Sequence, residues 1–286
     1  MPAALLVTCA DLPSGDEDAD LLLTALESRG IQARWVVWDD PAVQWGSALA
    51  VVRSTWDYTM RRGAFLRWAQ AVPRLANPAD VIAWNSDKTY LRDLADAGVP
   101  IVPTTWAAPG RAVRLPGVAE FVVKPSVGAG SRGAGRFTPD RLADAQEHVH
   151  QLHAQGCTVM VQPYLADVDS AGETALIYFG GEFSHAIRKG PMLPDGVVHP
   201  HLSHALYVEE VITPRAPSEG ELAVGSKAIS AMRERWGRDL LYARVDLLPS
   251  PDGPVVIELE LAEPSLFLAH AAGAADRFAI AIAELA

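Results

Sequence analysis

Along the first 85 residues, short solid blocks of apolar residues alternate with longer amphipathic stretches. Ala3–Cys9 is a nearly unbroken apolar run, of a length that suits a buried strand. Asp18–Arg29 follows with helical spacing, acidic residues before and within its first turn, and Gly30 as a stop signal. Arg34–Trp38 and Leu49–Arg53 read as two further strands, and Arg61–Val72 as a helix with Phe65 and Trp68 at apolar positions and Pro73 closing it. This rhythm predicts an open α/β domain over residues 1–85. A helix over Ser86–Ala97, with Asn85 as N-cap and Gly98 past its end, then leads into a second lobe. Further on, Tyr207–Glu210, a helix over Glu219–Arg235 and a closing helix around Ala269–Leu285 build a third.

Near the C-terminus the period changes to two. Tyr242–Leu248 and Val255–Leu261, separated by the turn-like Pro249-Ser-Pro-Asp-Gly253, read as a β-hairpin. Alternation puts Arg244 with Asp246 on one face of the first strand, and Glu258 with Glu260 on one face of the second. Folding about residues 251–252 sets Asp246 opposite Glu258. Three carboxylates then crowd an otherwise apolar patch, where like charges raise one another's pKa unless a cation sits between them. A hard divalent cation with oxygen ligands, Mg²⁺ above all, resolves the conflict, which points to phosphate chemistry.

Composition sharpens that reading. Of 24 basic residues only Lys88, Lys124, Lys189 and Lys227 are lysines, the compact point charges suited to phosphate. Lys124 sits in Phe121-Val-Val-Lys124-Pro-Ser126-Val-Gly128-Ala-Gly130-Ser131-Arg-Gly133, a strand running into a glycine-rich stretch. Such a loop lets backbone N–H groups approach a polyphosphate, although no Gly-Lys-Ser/Thr of a P-loop is present.

Taken together and in order over residues 85–270, these motifs resemble the ATP-grasp superfamily, which includes D-alanine–D-alanine ligase and glutathione synthetase. The resemblance implies an α/β fold with α+β lobes, in which an N-terminal open α/β substrate domain (1–85) precedes two nucleotide-clasping lobes, a small one (86–165) and a large one (166–286) bearing the Mg²⁺ site. Lys88 and Lys124 then match the nucleotide lysines, and Ser126, Gly128, Gly130 and Ser131 the phosphate-covering loop. Gln162-Pro163-Tyr164-Leu165 resembles the hinge that meets adenine, and Glu173 the residue that holds the ribose. Arg244 matches the large-lobe arginine, while Asp246, Glu258 and Glu260 match the metal ligands. The family often has asparagine at the last of these. ATP with two Mg²⁺ ions is the cofactor set implied, Mn²⁺ being a possible substitute.

Bulk properties agree. The chain of 286 residues is long enough for two or three lobes, and its net charge of −11 argues against nucleic-acid or anionic-membrane partners. Cys9 and Cys157 are too few and too far apart for a disulfide framework. The first residues lack the charged segment of a signal peptide, and no apolar run reaches membrane-spanning length, so the cytoplasm is expected. A homodimer is left open.

Two segments invite substrate roles. Arg53-Ser54-Thr55-Trp56-Asp57 leaves the end of a strand, where open parallel sheets place ligand contacts. Arg53 could grip a substrate carboxylate, with the aromatic and polar residues shaping an amino-acid pocket. The alternative is a tryptophan packed between lobes and Arg53 paired to an aspartate. Arg188 and Lys189 could clamp a moving γ-phosphate. His199, His201 and His204 lie in a Pro/Gly-rich loop that suits a substrate cover better than zinc, His199 being a candidate for contact with the amine. His148, His150 and His153 read as surface residues, as does Lys227.

The resemblance implies that a substrate carboxylate takes the γ-phosphoryl group to give an acyl phosphate and ADP. An amine then attacks, with Arg244 stabilising the oxyanion. The runs around Glu258–Phe267 and Arg53–Trp56 are similar to a glutathione-synthetase-like branch that includes the ligase cyclising O-ureido-D-serine to D-cycloserine. A small amino-acid-like substrate is expected, joined by an amide bond or cyclised. A small-molecule kinase on the same nucleotide site and a non-catalytic nucleotide-binding module are the alternatives.

Overall fold

A computed structural model describes residues 3–117, 119–191, 193 and 211–286. His199, His201, His204 and the Tyr207–Glu210 segment lie outside the described residues.

The chain opens with three parallel strands, β1 (Ala3–Thr8), β2 (Gln32–Val37) and β3 (Leu49–Ser54), in the order β2-β1-β3. The central strand and β3 are buried along nearly their whole length, which explains their solid apolar runs, whereas β2 alternates as an edge strand does. Helices α1 (Ala19–Glu27) and α2 (Arg62–Ala71) fall where the periodicity predicts.

The expected helix over Ser86–Ala97 differs. The chain forms α3 (Ala79–Asn85) and α4 (Tyr90–Asp96) with a break between them. Asn85 cannot act as an N-cap because its carboxamide is already engaged. Its Nδ2 donates to the Leu259 carbonyl, and its Oδ1 accepts from the Leu261 and Ala262 amides. The break lets the Lys88 amide donate to the Ser126 carbonyl at 2.8 Å, which fastens this lysine beside the glycine-rich segment.

The second sheet is antiparallel, with β4 (Thr105–Ala107), β5 (Phe121–Pro125), β6 (Gly135–Phe137) and β7 (Val159–Pro163) in the order β4-β7-β5-β6. Helix α5 (Leu142–Ala154) covers it through Ala145, Val149 and Leu152. His148, expected at the surface, is buried on this helix, and its Nε2 donates to the Gly133 carbonyl at 2.8 Å.

The third sheet follows the short α6 (Val168–Ala171). It comprises β8 (Glu173–Phe179), β9 (Glu182–Lys189), β10 (Ile212–Pro214), β11 (Tyr242–Leu248) and β12 (Val255–Glu260), in the order β10-β9-β8-β11-β12. Helix α7 (Glu219–Trp236) starts with a capping box between Ser218 and Glu221. At Gly225 it comes so close to the sheet that a Cβ would collide with Tyr178 and Leu176. The last helix, α8 (Ala274–Leu285), joins a core shared by α1, the first sheet and the third: Leu6, Leu26, Ile177, Tyr242 and Phe278 belong to one cluster. Among the described residues no helix is long and apolar enough to cross a membrane.

Candidate active site

The second and third sheets, with the loops that leave β1 and β3, line a cavity of about 590 Å³, within the usual range for small-ligand sites. Its charged end is made by the β11–β12 hairpin. The register pairs Arg244 with Glu260 and Asp246 with Glu258, the arrangement that a two-residue period requires. Arg244 grips Asp246 in a fork, Nε to Oδ1 and Nη2 to Oδ2 both at 2.8 Å. Its Nη2 also reaches Glu260 Oε1 at 2.5 Å. From β9, Lys189 Nζ meets Asp246 Oδ2 at 2.8 Å and pairs with Glu173 at the start of β8. Lys88 Nζ lies 2.9 Å from Glu258 Oε1 and donates to the Gly128 carbonyl at 2.5 Å.

Electrostatics separate these groups. Burial alone would raise the Asp246 carboxyl, but Arg244 and Lys189 overcome it and hold the group well below the usual carboxylate range. Glu260 goes the other way: burial, helped by Glu258 and Asp246, pushes it up to about 8 despite Arg244. Burial pulls Lys124 down to about 8, with Lys88 adding to the effect and Glu258 opposing it. For Lys88 burial acts in the same direction, yet the attraction of Glu258 prevails and its pKa is raised.

A second wall comes from the second sheet. Gly128, Gly130 and Ser131 line the cavity beside Lys124, with Gly130, Ser131 and Gly133 all at positive φ. Gln162, Pro163, Tyr164 and Leu165 line it at the end of β7, and the apolar Val122, Val168, Leu248 and Ile257 line it too. A mixed lining of polar and apolar groups of this kind suits a small organic ligand. Ser126 is not part of the lining; it is buried, and its backbone fastens both Lys88 and Thr158.

Other sequence candidates fall away from the cavity. Arg188 is next to Lys189 on β9 and so projects from the opposite face, where it donates to the Ala171 and Ser170 carbonyls at 2.7 and 2.9 Å. Arg53 is fully buried; its Nη2 pairs with Asp16 Oδ2 at 3.3 Å and its Nη1 donates to the Pro264 carbonyl at 3.0 Å. Ser54 is bonded to Thr8, Thr55 is buried, and Asp57 accepts from Trp38 while pairing with Arg61. Only Trp56 of this segment lines the cavity.

Some lining residues escaped the sequence reading. Asp16 and Asp18 border the cavity, and Asp18 accepts from the Leu268 and Ala269 amides at 2.8 and 3.1 Å. Arg132, inside the glycine-rich loop, reaches across to the Trp56 carbonyl and the Thr59 hydroxyl at 3.0 and 2.6 Å. Glu263 and Ser265 extend the wall beyond β12. A third acidic residue shortly after Glu258-Leu-Glu260 was the available signal for Glu263.

The donor set suits a hard cation in chemistry and backbone placement, since three carboxylates occupy paired and alternate positions of one hairpin. Among the described residues, however, no group of three such side chains is arranged to hold an ion. Each carboxylate is turned towards Arg244, Lys189 or Lys88 instead.

Comparison with known proteins agrees with this geometry. The crystal structure of D-cycloserine synthetase DcsG superposes with a TM-score of 0.87 at 38% identity, covering 99% of each chain. D-alanine–D-alanine ligase from Bacillus anthracis superposes with a TM-score of 0.64 at 13% identity, covering 100% of this chain and 97% of the other. Fold and site thus define an ATP-grasp enzyme, an ATP-dependent ligase that forms C–N bonds. Residues 4–77 match the model of the N-terminal domain of D-cycloserine synthetase DcsG. The cycloserine biosynthesis protein DcsG of Streptomyces lavendulae is 42% identical over 98% of this chain and 97% of its own length. The chain belongs to the DcsG family of ATP-grasp ligases.

Proposed function

We propose that this ligase closes the ring of D-cycloserine from O-ureido-D-serine, activating the substrate carboxylate at the expense of ATP. The observation that carries the reading is the near full-length likeness to the DcsG relatives, with Lys88, Lys124, Arg244, Glu258 and Glu260 lining one cavity and Asp246 buried behind them on the same hairpin. In this reading residues 1–85 supply the substrate side, and residues 86–165 and 166–286 are the two lobes that clasp the nucleotide.

Lys88 and Lys124 hold the α- and β-phosphates under the 128–133 loop, and Lys189 takes the γ-phosphoryl oxygens. For both Lys88 and Lys189 this exchanges carboxylate partners for phosphate, a charge-assisted contact of similar strength. Glu173 orients the ribose, and the 162–165 backbone meets the adenine. Asp246, Glu258 and Glu260 are the groups that would hold Mg²⁺, two ions in the full site, with Mn²⁺ as a substitute. The metal supplies charge neutralisation at the transferred phosphoryl group. Once the carboxylate is an acyl phosphate, Arg244 stabilises the oxyanion formed when nitrogen attacks the acyl carbon. No covalent protein intermediate is required; positioning and charge do the work.

The test is to supply ATP, Mg²⁺ and O-ureido-D-serine alone, following ADP and taking mass spectra of the products. ADP together with D-cycloserine is expected. A requirement for a second amine, or a product heavier by phosphate, would overturn the ring-closing reading.

A further inference from the structure

The segment after β12 has no regular structure, yet six successive carbonyls each accept a hydrogen bond from a distant side chain. Asn77 serves Leu261 (2.7 Å), the Tyr242 hydroxyl Ala262 (2.8 Å), and the Trp56 indole Glu263 (3.1 Å). Arg53 serves Pro264 (3.0 Å), Arg244 Ser265 (3.1 Å), and His185 Leu266 (2.9 Å). A buried loop must satisfy its backbone somehow. Doing so with six side chains from outside fixes its path far more tightly than packing would, as a constellation that must hold a reacting geometry requires.

What that path presents is Glu263. The residue borders the cavity and is buried, and its carboxyl interacts with the Tyr58 hydroxyl. Asp246, Glu258, Glu260 and Glu173 each carry a salt bridge; among the described residues Glu263 carries none. It lies two residues from Ser265, whose carbonyl is held by Arg244, the group assigned to the oxyanion, and both line the same cavity. Burial holds its pKa up at about 7 against the pull of Lys88, which suits proton exchange near neutrality.

We propose that Glu263 is a catalytic residue that accepts the proton of the attacking nitrogen, and that Trp56 is a positioning residue acting on it through the backbone. This rests on the ring-closing ligase reading. In the step, a C–N bond forms between the N–H nitrogen and the acyl carbon. The C–O bond to phosphate breaks, phosphate leaves with the electron pair, and the nitrogen's proton passes to the Glu263 carboxylate. The ring nitrogen then still carries the carbamoyl group; water adds to that carbonyl, its bond to the ring nitrogen breaks with a proton returning to the nitrogen, and the carbamic acid released falls to carbon dioxide and ammonia. The sequence Arg53-Ser-Thr-Trp56 then belongs to the frame of the reaction centre rather than to a substrate-carboxylate grip.

The test uses Glu263→Gln in the full-length enzyme, a change that keeps an acceptor for Tyr58. ATP, Mg²⁺ and O-ureido-D-serine are supplied with and without hydroxylamine, which traps acyl phosphates without a protein base. Ring closure should fall about 10²- to 10⁴-fold in kcat, with KM little changed and hydroxamate and ADP formed in hydroxylamine as in the unaltered enzyme. Trp56→Phe should lower ring closure more modestly and have no further effect when combined with Glu263→Gln. A parallel fall in hydroxamate, or a rise in KM alone, would make Glu263 a binding group and overturn the proposal, as would unchanged ring closure. Absence of hydroxamate from the unaltered enzyme would instead sink the acyl-phosphate reading beneath it.

Discussion

The cavity has two stretches of wall built on different principles. On the charged wall, carried by β9, β11 and β12, functional side chains meet because strand pairing puts them side by side: Arg244 faces Glu260, Asp246 faces Glu258, and Lys189 completes the patch. Where that wall continues past β12, the 261–267 segment has no ladder, so its carbonyls rest on side chains drawn from the first sheet, α3's approach and the third sheet. A strand positions its side chains through its own register. A loop must be propped from outside, and residues that look like ligand contacts become the props.

The largest expected effect breaks the charged wall. Glu258→Ala removes a carboxylate proposed for Mg²⁺ and leaves Lys88 with the Gly128 carbonyl but without its ion-pair partner. ADP formation should be lost while the thermal midpoint stays within a few degrees, because the residue faces the cavity rather than the core. Normal turnover would remove Glu258 from the metal site.

Next in size is Arg53→Met on the propped wall. The change strips Asp16 of its buried partner and the Pro264 carbonyl of its donor. Breaking a buried pair on one side costs about 3–5 kcal/mol, so a clear loss of stability on denaturant titration is expected. ATP affinity of the folded fraction should be unchanged. A variant of full stability with only a raised substrate KM would restore Arg53 as a substrate contact and erase the distinction between the walls.

Lys124 gives a smaller effect with a pH signature. Lys124→Met should weaken nucleotide binding by about ten- to a hundredfold, the worth of a charged hydrogen bond. In the unaltered protein the lysine's pKa is lowered from 10.5 to about 8. Phosphate prefers the protonated form, so ATP affinity should fall as pH rises through 8, and Lys124→Met should flatten that slope. The sign for stability is opposite. Between 8 and 10.5 the unfolded chain keeps the proton that the folded chain has released, so the nucleotide-free protein gains stability as pH rises. Isothermal titration at several pH values and denaturation over the same range check both.

The asymmetry between the walls also sets what the sequence could reveal. The hairpin register was readable because a period of two and a short turn determine it locally. The helices α1, α2 and α7 were readable from their spacing and stop signals. Two adjacent cations, Arg188 and Lys189, suggest one clamp, yet neighbours on a strand face opposite ways and only Lys189 reaches the site. Asn85 was given a capping role because Asn before a helix favours one, whereas its true partners lie more than 170 residues further along. The Arg53 and Trp56 contacts to 263–264 span a similar distance, and no local pattern encodes them. His148 looked exposed because it sits among polar neighbours on α5, yet the loop it supports is brought to it only by the fold.

The smallest effect sharpens the comparison most. Trp56→Phe keeps a ring against the cavity and deletes one N–H, the donor to the Glu263 carbonyl. A neutral hydrogen bond is worth about 1 kcal/mol, so the denaturation midpoint should drop only slightly, far less than for Arg53→Met. If the propped wall serves the reaction, ring closure should fall by more than that small loss implies, while acyl-phosphate trapping stays intact. The reason is geometric: the bond fixes the backbone of Glu263 itself, so its loss loosens one carboxylate without unfolding the loop that the other five bonds retain. Equal losses in trapping and ring closure would mean that Trp56 packs against substrate, and the wall would be a binding surface after all.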